Sequence, residues 1–328
     1  MALTVSYYSG NEEEWDRFIL KDSMNGTFLQ TRRFINYHPA GRFQDCSICV
    51  RKGSELVAVL LGCVIDDGGQ KTFFAHKGTT FGGISISPKI YSASAVDEMM
   101  QQLQEFWKAE GFEKVYLKMV PTAYQRTNTD LLDYFLYKYG FHDYSELNYY
   151  MQLNRYQADV PAQFSSSKRR DYRYSLKNGL VFRKLEEREE IAQFYQVLLL
   201  NLQKLGLRAV HTLEDLYDLK FNRFPENIEF YGVYLEEKMI AGSMIFIIDG
   251  HIFHTQYLSS DEQYLKMYPM DFLISNLIQV AVNRGMELFS FGICTEDQGR
   301  YLNLGLSRFK EGFGAEFCIN KSYEKVLN

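Results

Sequence analysis

No stretch of eighteen consecutive apolar residues occurs in this 328-residue chain, and its start, Met1-Ala2-Leu3-Thr4-Val5-Ser6-Tyr7, offers neither a basic segment nor an apolar core for a targeting peptide. A membrane span and a secretory leader are therefore not expected, and the cytoplasm is the expected compartment. Cysteine is scarce and odd in number: Cys46, Cys49, Cys63, Cys294 and Cys318 are scattered through apolar segments. Cys46-Ser47-Ile48-Cys49 has the spacing of a thiol or metal pair, but no second pair and no nearby histidine, so all five read as reduced core residues. The six histidines are equally dispersed. Only His251 and His254 share an expected strand, and a spacing of three on a flat strand sends them to opposite faces, so no metal site is expected. Neither a Ser-His-Asp pattern, a phosphate-binding Walker loop nor a dinucleotide fingerprint is present. With 36 basic and 41 acidic residues the formal charge is −5, which excludes a chain that attracts nucleic acid by overall charge.

What is present suits two globular domains. Hydrophobic residues make up 46% and charged residues 23%, ordinary values for chains that bury a core, and the length fits about 150 residues per domain. Aromatics reach 16%, an excess that fits either an aromatic core in a β-rich protein or the lining of a groove for a large, partly flat ligand.

Taken in order, an acidic turn leads into a short helix at Trp15–Ile19, and Gly26-Thr27-Phe28-Leu29-Gln30-Thr31 leads into a second over Arg32–Tyr37. Strands are expected at Cys46–Arg51, Glu55–Ile65 and Lys71–His76, joined as a meander by glycine-bearing turns. A helix over Ala93–Glu110 follows, with Val96, Met99, Met100, Leu103, Phe106 and Trp107 on one face and Gly111 as its stop. Then come a strand Val115–Met119, a helix Asp130–Tyr139 and a strand Leu147–Leu153.

The second half repeats this order. Helices Ile191–Leu205 and Thr212–Asn222 precede strands Glu229–Leu235, Met239–Ile248 and His251–Leu258, the last two joined by the strong hairpin signal Asp249-Gly250. A helix Pro269–Asn283 and a strand Leu288–Phe291 close the repeat, which argues for two copies of one fold. Between the halves, a serine cap, a basic helix and a glycine stop occupy 165–179, and Lys168–Lys184 holds seven basic residues against one acidic. Arg169, Arg170 and Arg173, with tyrosines interleaved, are candidates for phosphate contact with stacking, or form a plain solvated helix.

Near the end lies Leu288-Phe289-Ser290-Phe291-Gly292-Ile293, then Leu302-Asn303-Leu304-Gly305-Leu306, then Phe309-Lys310-Glu311-Gly312-Phe313-Gly314, read as strand, loop and site. With the tandem repeat, this pattern resembles the Fem-type peptidyltransferases, a tandem-domain branch of the GNAT acyltransferase superfamily. The resemblance implies an α/β fold of two tandem GNAT-like domains, each a mixed, mostly antiparallel sheet flanked by helices, at 1–160 and 161–328. The sequence leaves open whether the last strand, Glu316–Tyr323, packs with its own domain or crosses to the first; in the family it resembles, such a crossing occurs. The resemblance implies transfer of an acyl or aminoacyl group to an amine of a cell-wall precursor or similar metabolite, nucleotide-linked or not. The resemblance also makes Lys310 the residue that polarises the donor carbonyl, Arg33 (or Arg32) a residue that reaches the acceptor, and Tyr257 an acceptor-binding residue. Tyr268-Pro269 resembles the family's loop-to-helix junction.

A GNAT domain holds the pyrophosphate of coenzyme A on backbone N–H groups at the helix start. Here that loop reads Gln263-Tyr264-Leu265-Lys266-Met267-Tyr268 without glycine, so the backbone has no easy approach to a pyrophosphate. The resemblance therefore favours aminoacyl-tRNA as donor, with acyl-CoA as the one cofactor candidate. Transfer to an amine also needs a proton acceptor. Glu296 and Asp297, in the loop after the strand, are the candidates, with His254 or Tyr257 on the neighbouring strand, although each acid reads equally as surface charge. Where the family often has Asp-Phe this chain has Ser290-Phe291, which leaves the base open. Two rival readings remain: an acyltransferase using acyl-CoA or an acyl carrier protein, and a catalytically silent tandem GNAT binding module.

Overall fold

The computed structural model describes residues 2–156, 159–204 and 206–327. The chain divides into two compact units, one of Met1–Glu146, Asp297–Gly299 and Ile319–Asn328, the other of Leu147–Glu296 and Arg300–Cys318.

In the first unit the strands are β1 (Leu3–Tyr7), β2 (Gln44–Asp45), β3 (Ile48–Lys52), β4 (Glu55–Leu60), β5 (Cys63–Asp67), β6 (Gln70–Ala75), β7 (Ile84–Ile86) and β8 (Lys114–Lys118). Its helices are α1 (Glu12–Arg17), α2 (Arg32–Ile35), α3 (Ala93–Ala109) and α4 (Asp130–Lys138). One antiparallel sheet has the order β1-β3-β4-β7, and β8-β6-β5-β2 form another. β6 and β8 are parallel, as strands joined through a crossover helix must be, and α3 is that helix. Ser92 caps α3 and Gly111, at φ +70°, ends it. Val96, Met99, Met100, Leu103 and Trp107 are buried among Phe73, Val115 and Leu117, so the expected apolar stripe is the core face.

The expected strand Glu55–Ile65 is two strands in two sheets, a correction to the simple meander. The chain changes sheet at Leu61-Gly62, where Gly62 O accepts from Cys46 N and a Cβ on Gly62 would lie 2.4 Å from ring carbons of Phe73. The apolar run continues through the break, so composition hides it.

β9 (His142–Gln152) leads from the first unit into the second, where α5 (Ser166–Ser175) is followed by β10 (Leu180–Leu185), α6 (Arg188–Lys204) and α7 (Leu213–Tyr217). Leu205, the expected end of α6, lies outside the described residues. Then come β11 (Ile228–Leu235), β12 (Lys238–Ile248), β13 (Ile252–Ser260), α8 (Pro269–Asn283), β14 (Leu288–Ile293), the two-residue strands β15 (Thr295–Glu296) and β16 (Tyr301–Leu302), α9 (Leu304–Glu311) and β17 (Glu316–Val326). The sheet of the second unit runs β10-β11-β12-β13-β14-β9, antiparallel except for the pair β13/β14, which α8 connects. Asp249 and Gly250 take φ of +52° and +76° in the β12–β13 turn, as a primed hairpin turn requires. The core packs Leu273, Leu277 and Ile278 of α8 with Phe253, Phe289 and Phe291 of the sheet.

The two units share one plan: a parallel pair, a crossover helix, antiparallel strands on either side. The segment expected to be a polar loop around Asn303 is helical in its second part, with Asn303 capping α9, so Lys310 stands on a helix. The last strand ends in the first unit, its residues Ser322–Val326 pairing antiparallel with Lys118–Lys114 of β8. Among the described residues no helix is long and apolar enough to cross a membrane. The five cysteines are free, and burial pushes the Cys46 and Cys49 thiols well up.

Candidate active site

The site in the second unit begins with two irregular strands. β13 and β14 pair only over Ile252–His254 and Leu288–Ser290. Beyond these residues no further backbone pairing joins them among the described residues, and Thr255 Oγ1 donates to Ser290 O at 3.1 Å just past the last pair; the carboxyl ends of parallel strands are where α/β sheets commonly bind ligands. β14 carries a bulge: Ser290 faces Tyr150 and Gly292 faces Tyr149 of β9, leaving Phe291 as the extra residue. Gly292 adopts φ +72°, and a Cβ there would make only an ordinary contact, with His254 at 3.6 Å, so conformation rather than space calls for glycine.

The bulge turns three successive carbonyls toward one point, and Lys310 fills it. Its Nζ donates to the carbonyl oxygens of Phe291 at 3.0 Å, Gly292 at 2.9 Å and Ile293 at 2.9 Å. An ammonium has three N–H bonds, and all three are engaged. The side chain is 3% exposed, and burial lowers its pKa, with Cys294 beside it acting the other way.

Next to the lysine is His254, whose Nδ1 lies 3.2 Å from Ser290 Oγ. Burial, then the Lys310 charge, push it down to about 4, so it is neutral at pH 7. β13 has a bulge of its own. Ile245 faces Thr255 and Met244 faces Tyr257, leaving Gln256 as the extra residue. Because Phe246 faces His254, and Phe246 and Met244 are two apart on regular β12, His254 and Tyr257 project from the same face of the sheet. The half-buried Tyr257 places its hydroxyl 2.6 Å from Nδ1 of buried His211.

At the start of α8 the chain turns through Tyr268, at φ +57°, into Pro269. Asp271 in the first turn is buried; burial raises its pKa, and the nearby Lys168 ammonium holds it back. Lys168 of α5 reaches it at 2.7 Å while lying 4.2 Å and 4.9 Å from the rings of Phe309 and Phe313. The Tyr174 ring stacks on that of Tyr268 at 6.0 Å. The helix N-terminus, the place where a pyrophosphate would sit, thus already holds a carboxylate of the chain itself. These residues do not fit coenzyme A bound in the usual GNAT manner.

Comparison with known proteins bears on the fold. The model of the acetyltransferase (GNAT) domain family matches residues 164–311. Among solved structures, FemX superposes with a TM-score of 0.71 at 14% identity, over 99% of this chain and 97% of its own. The chain has the tandem GNAT fold. A tandem GNAT protein from the clavulanic acid biosynthesis pathway superposes with a TM-score of 0.57 at 10% identity, covering 99% of both chains. The L-PGS of Bacillus licheniformis does so with a TM-score of 0.62 at 13% identity, over 96% of this chain and 93% of its own. No curated protein matches by sequence.

Within the tandem GNAT fold, the residues singled out by sequence fall into separate groups. Lys310 stands on α9 and bonds to β14, Tyr257 lies on β13, and Tyr268 is at the α8 junction. Arg169, Arg170 and Arg173 are exposed on α5, where Arg169 Nη1 donates to Ala162 O at 3.2 Å and Arg170 pairs with Asp171 at 3.2 Å. Glu296 and Asp297 are exposed at the β15–β16 hairpin, Asp297 in the left-handed region at φ +47°. No described bond joins either acid to Lys310. In the first unit Arg33 is exposed, whereas Arg32 is 3% exposed, paired with Asp45 at 2.5 Å and packed over Tyr8 at 3.8 Å. His211 was missed by sequence because it carries no local signal; its partner is 46 positions away.

Proposed function

We propose that this tandem GNAT protein transfers an acyl or aminoacyl group to an amine, in a crevice at the carboxyl ends of β13 and β14. The observation that carries the reading is Lys310, a buried ammonium held by the β14 bulge at the open end of the only parallel strand pair described in its unit. A fixed positive charge in a dry site stabilises the oxyanion that forms as the amine attacks, an effect commonly worth about 3 kcal/mol. To donate directly to that oxyanion, Lys310 must release one of its three carbonyls.

The donor favoured is aminoacyl-tRNA. The Asp271–Lys168 pair at the α8 N-terminus speaks against acyl-CoA, and the exposed arginines of α5 support phosphate contact. The acceptor would be an amine on a cell-wall precursor or another large, nucleotide-linked metabolite. Similarity to FemX motivates this choice, and fold alone does not fix substrates.

The test is transfer from total tRNA charged with a radiolabelled amino acid mixture, alongside calorimetric titration with coenzyme A and acetyl-CoA. Transfer that Lys310→Ala abolishes, with no binding of either coenzyme, is the expected result. Tight binding of coenzyme A would move the donor to acyl-CoA. Absence of transfer from either donor class would leave a silent binding module.

A further inference from the structure

We infer that His211, acting through the hydroxyl of Tyr257, is the general base that takes the proton from the attacking amine. This rests on the acyl-transfer reading of the crevice.

Four observations converge on the pair. Tyr257 lies on β13 beyond its last pairing with β14. The Gln256 bulge turns it to the face that carries His254, beside Lys310. Its hydroxyl is 2.6 Å from His211 Nδ1, the rings meeting edge to face at 5.7 Å and 88°. His211 is 4% exposed, and Tyr195 Oη of α6 donates to its carbonyl at 3.2 Å, which fixes the segment before α7.

The Tyr257 oxygen accepts from the His211 backbone N–H. On this reading the Tyr257 hydrogen goes to His211 Nδ1, across their 2.6 Å contact, and His211 is the Nε2–H tautomer. A phenol oxygen has two lone pairs, so one remains for an incoming amine N–H. Burial raises the Tyr257 pKa, the His211 backbone bond opposing it, so the phenol alone is a weak proton acceptor and needs the imidazole behind it. The other titratable groups facing it are Tyr195 of α6 and Asp215 of α7. The alternatives are less suited: His254 is buried and held neutral down to about pH 4, and Glu296 and Asp297 are exposed at their hairpin.

The step balances without a further reactant. The amine nitrogen bonds to the acyl carbon of an ester donor. Its proton passes to the Tyr257 oxygen while the Tyr257 proton moves to His211 Nδ1. As the tetrahedral intermediate collapses, the ester C–O bond breaks, the oxygen leaves with the electron pair, and the imidazolium returns its proton by the same route.

Two measurements on the full chain test this. In ¹⁵N-histidine NMR, His211 is expected as the Nε2–H tautomer with Nδ1 unprotonated, and Tyr257→Phe should displace the Nδ1 resonance. A protonated Nδ1 in the wild type would overturn the assignment, whatever the activity. In the charged-tRNA assay, His211→Gln should lose about 100-fold or more in kcat with glycinamide as acceptor. It should lose far less with hydroxylamine, whose weakly basic nitrogen becomes an acidic ammonium on attack and can give its proton to water without the imidazole. Equal loss with both acceptors would mean a structural role and refute the base. If wild-type protein transfers to neither acceptor, the acyl-transfer reading falls, and the tautomer still decides whether the pair is built as a base.

Discussion

Replacing Lys310 by methionine keeps an unbranched side chain, one atom shorter, and removes its charge and all three donors. Three hydrogen bonds to a charged group, at about 1.5–3 kcal/mol each, set an upper bound of about 4–9 kcal/mol. Methionine avoids burying the ammonium, which recovers several kcal/mol of that. What remains is the cost of three carbonyls, of Phe291, Gly292 and Ile293, turned toward an apolar group. We expect a net loss of about 3 kcal/mol, felt first where the bulge is held. Because the chain has two units, a single unfolding midpoint is a poor readout, and native-state hydrogen exchange is the better assay. Amides of β14 should exchange about 100-fold faster, since 3 kcal/mol corresponds to about two decades, while those of β6 and β8 should not change. Acceleration corresponding to less than about 0.5 kcal/mol would show that the three bonds do not hold the bulge in solution, and the electrostatic role argued for Lys310 would lose its geometry.

His254 has a folded-state pKa of about 4 against an ordinary 6.5. Between these values the unfolded chain binds a proton that the folded chain refuses, so stability should fall by roughly 3 kcal/mol as pH drops from 6.5 to 4. His254→Gln should flatten that limb of a denaturation profile, and an unchanged limb would contradict the burial of a neutral imidazole. Gly62→Ala places a methyl group against the Phe73 ring and should destabilise the first unit by about 2 kcal/mol, read as a shift in urea midpoint. Lys168→Met leaves the buried Asp271 carboxylate without its partner and should cost about 3 kcal/mol, whereas adding Asp271→Asn should restore most of the loss. A double-mutant cycle showing simple additivity would mean the pair is not coupled.

The fold was legible where the deciding interactions are local. The stripe on α3 repeats at helical spacing and is buried as read, apart from Phe106, which is half-buried. The Asp249-Gly250 turn announces its positive φ values in its composition. The repeat was legible too, because both units keep the same order of elements. What sequence hid depends on distant partners. The break at Gly62 arises from the Phe73 ring across the strand pair, so an unbroken apolar run concealed it. Lys310 was found by its surrounding motif, but its three carbonyl partners follow from a register shift between β14 and β9 that no local pattern records. Likewise, the Gln256 bulge changes which β13 side chains share a face, and counting along a flat strand places Tyr257 wrongly with respect to His254. His211 stands in a loop and gains meaning only from a hydroxyl on another element.

The carboxylate at the start of α8 bears on which routes of change are open to this chain. Glycine in the preceding loop would not by itself create a pyrophosphate site, because Asp271 would still repel the ligand from the helix end. Losing Asp271 first strands the Lys168 ammonium over Phe309 and Phe313, and losing Lys168 first strands the acid. Each single step costs stability before any new ligand compensates, so a change of this helix end to a pyrophosphate site would cross a valley rather than a slope.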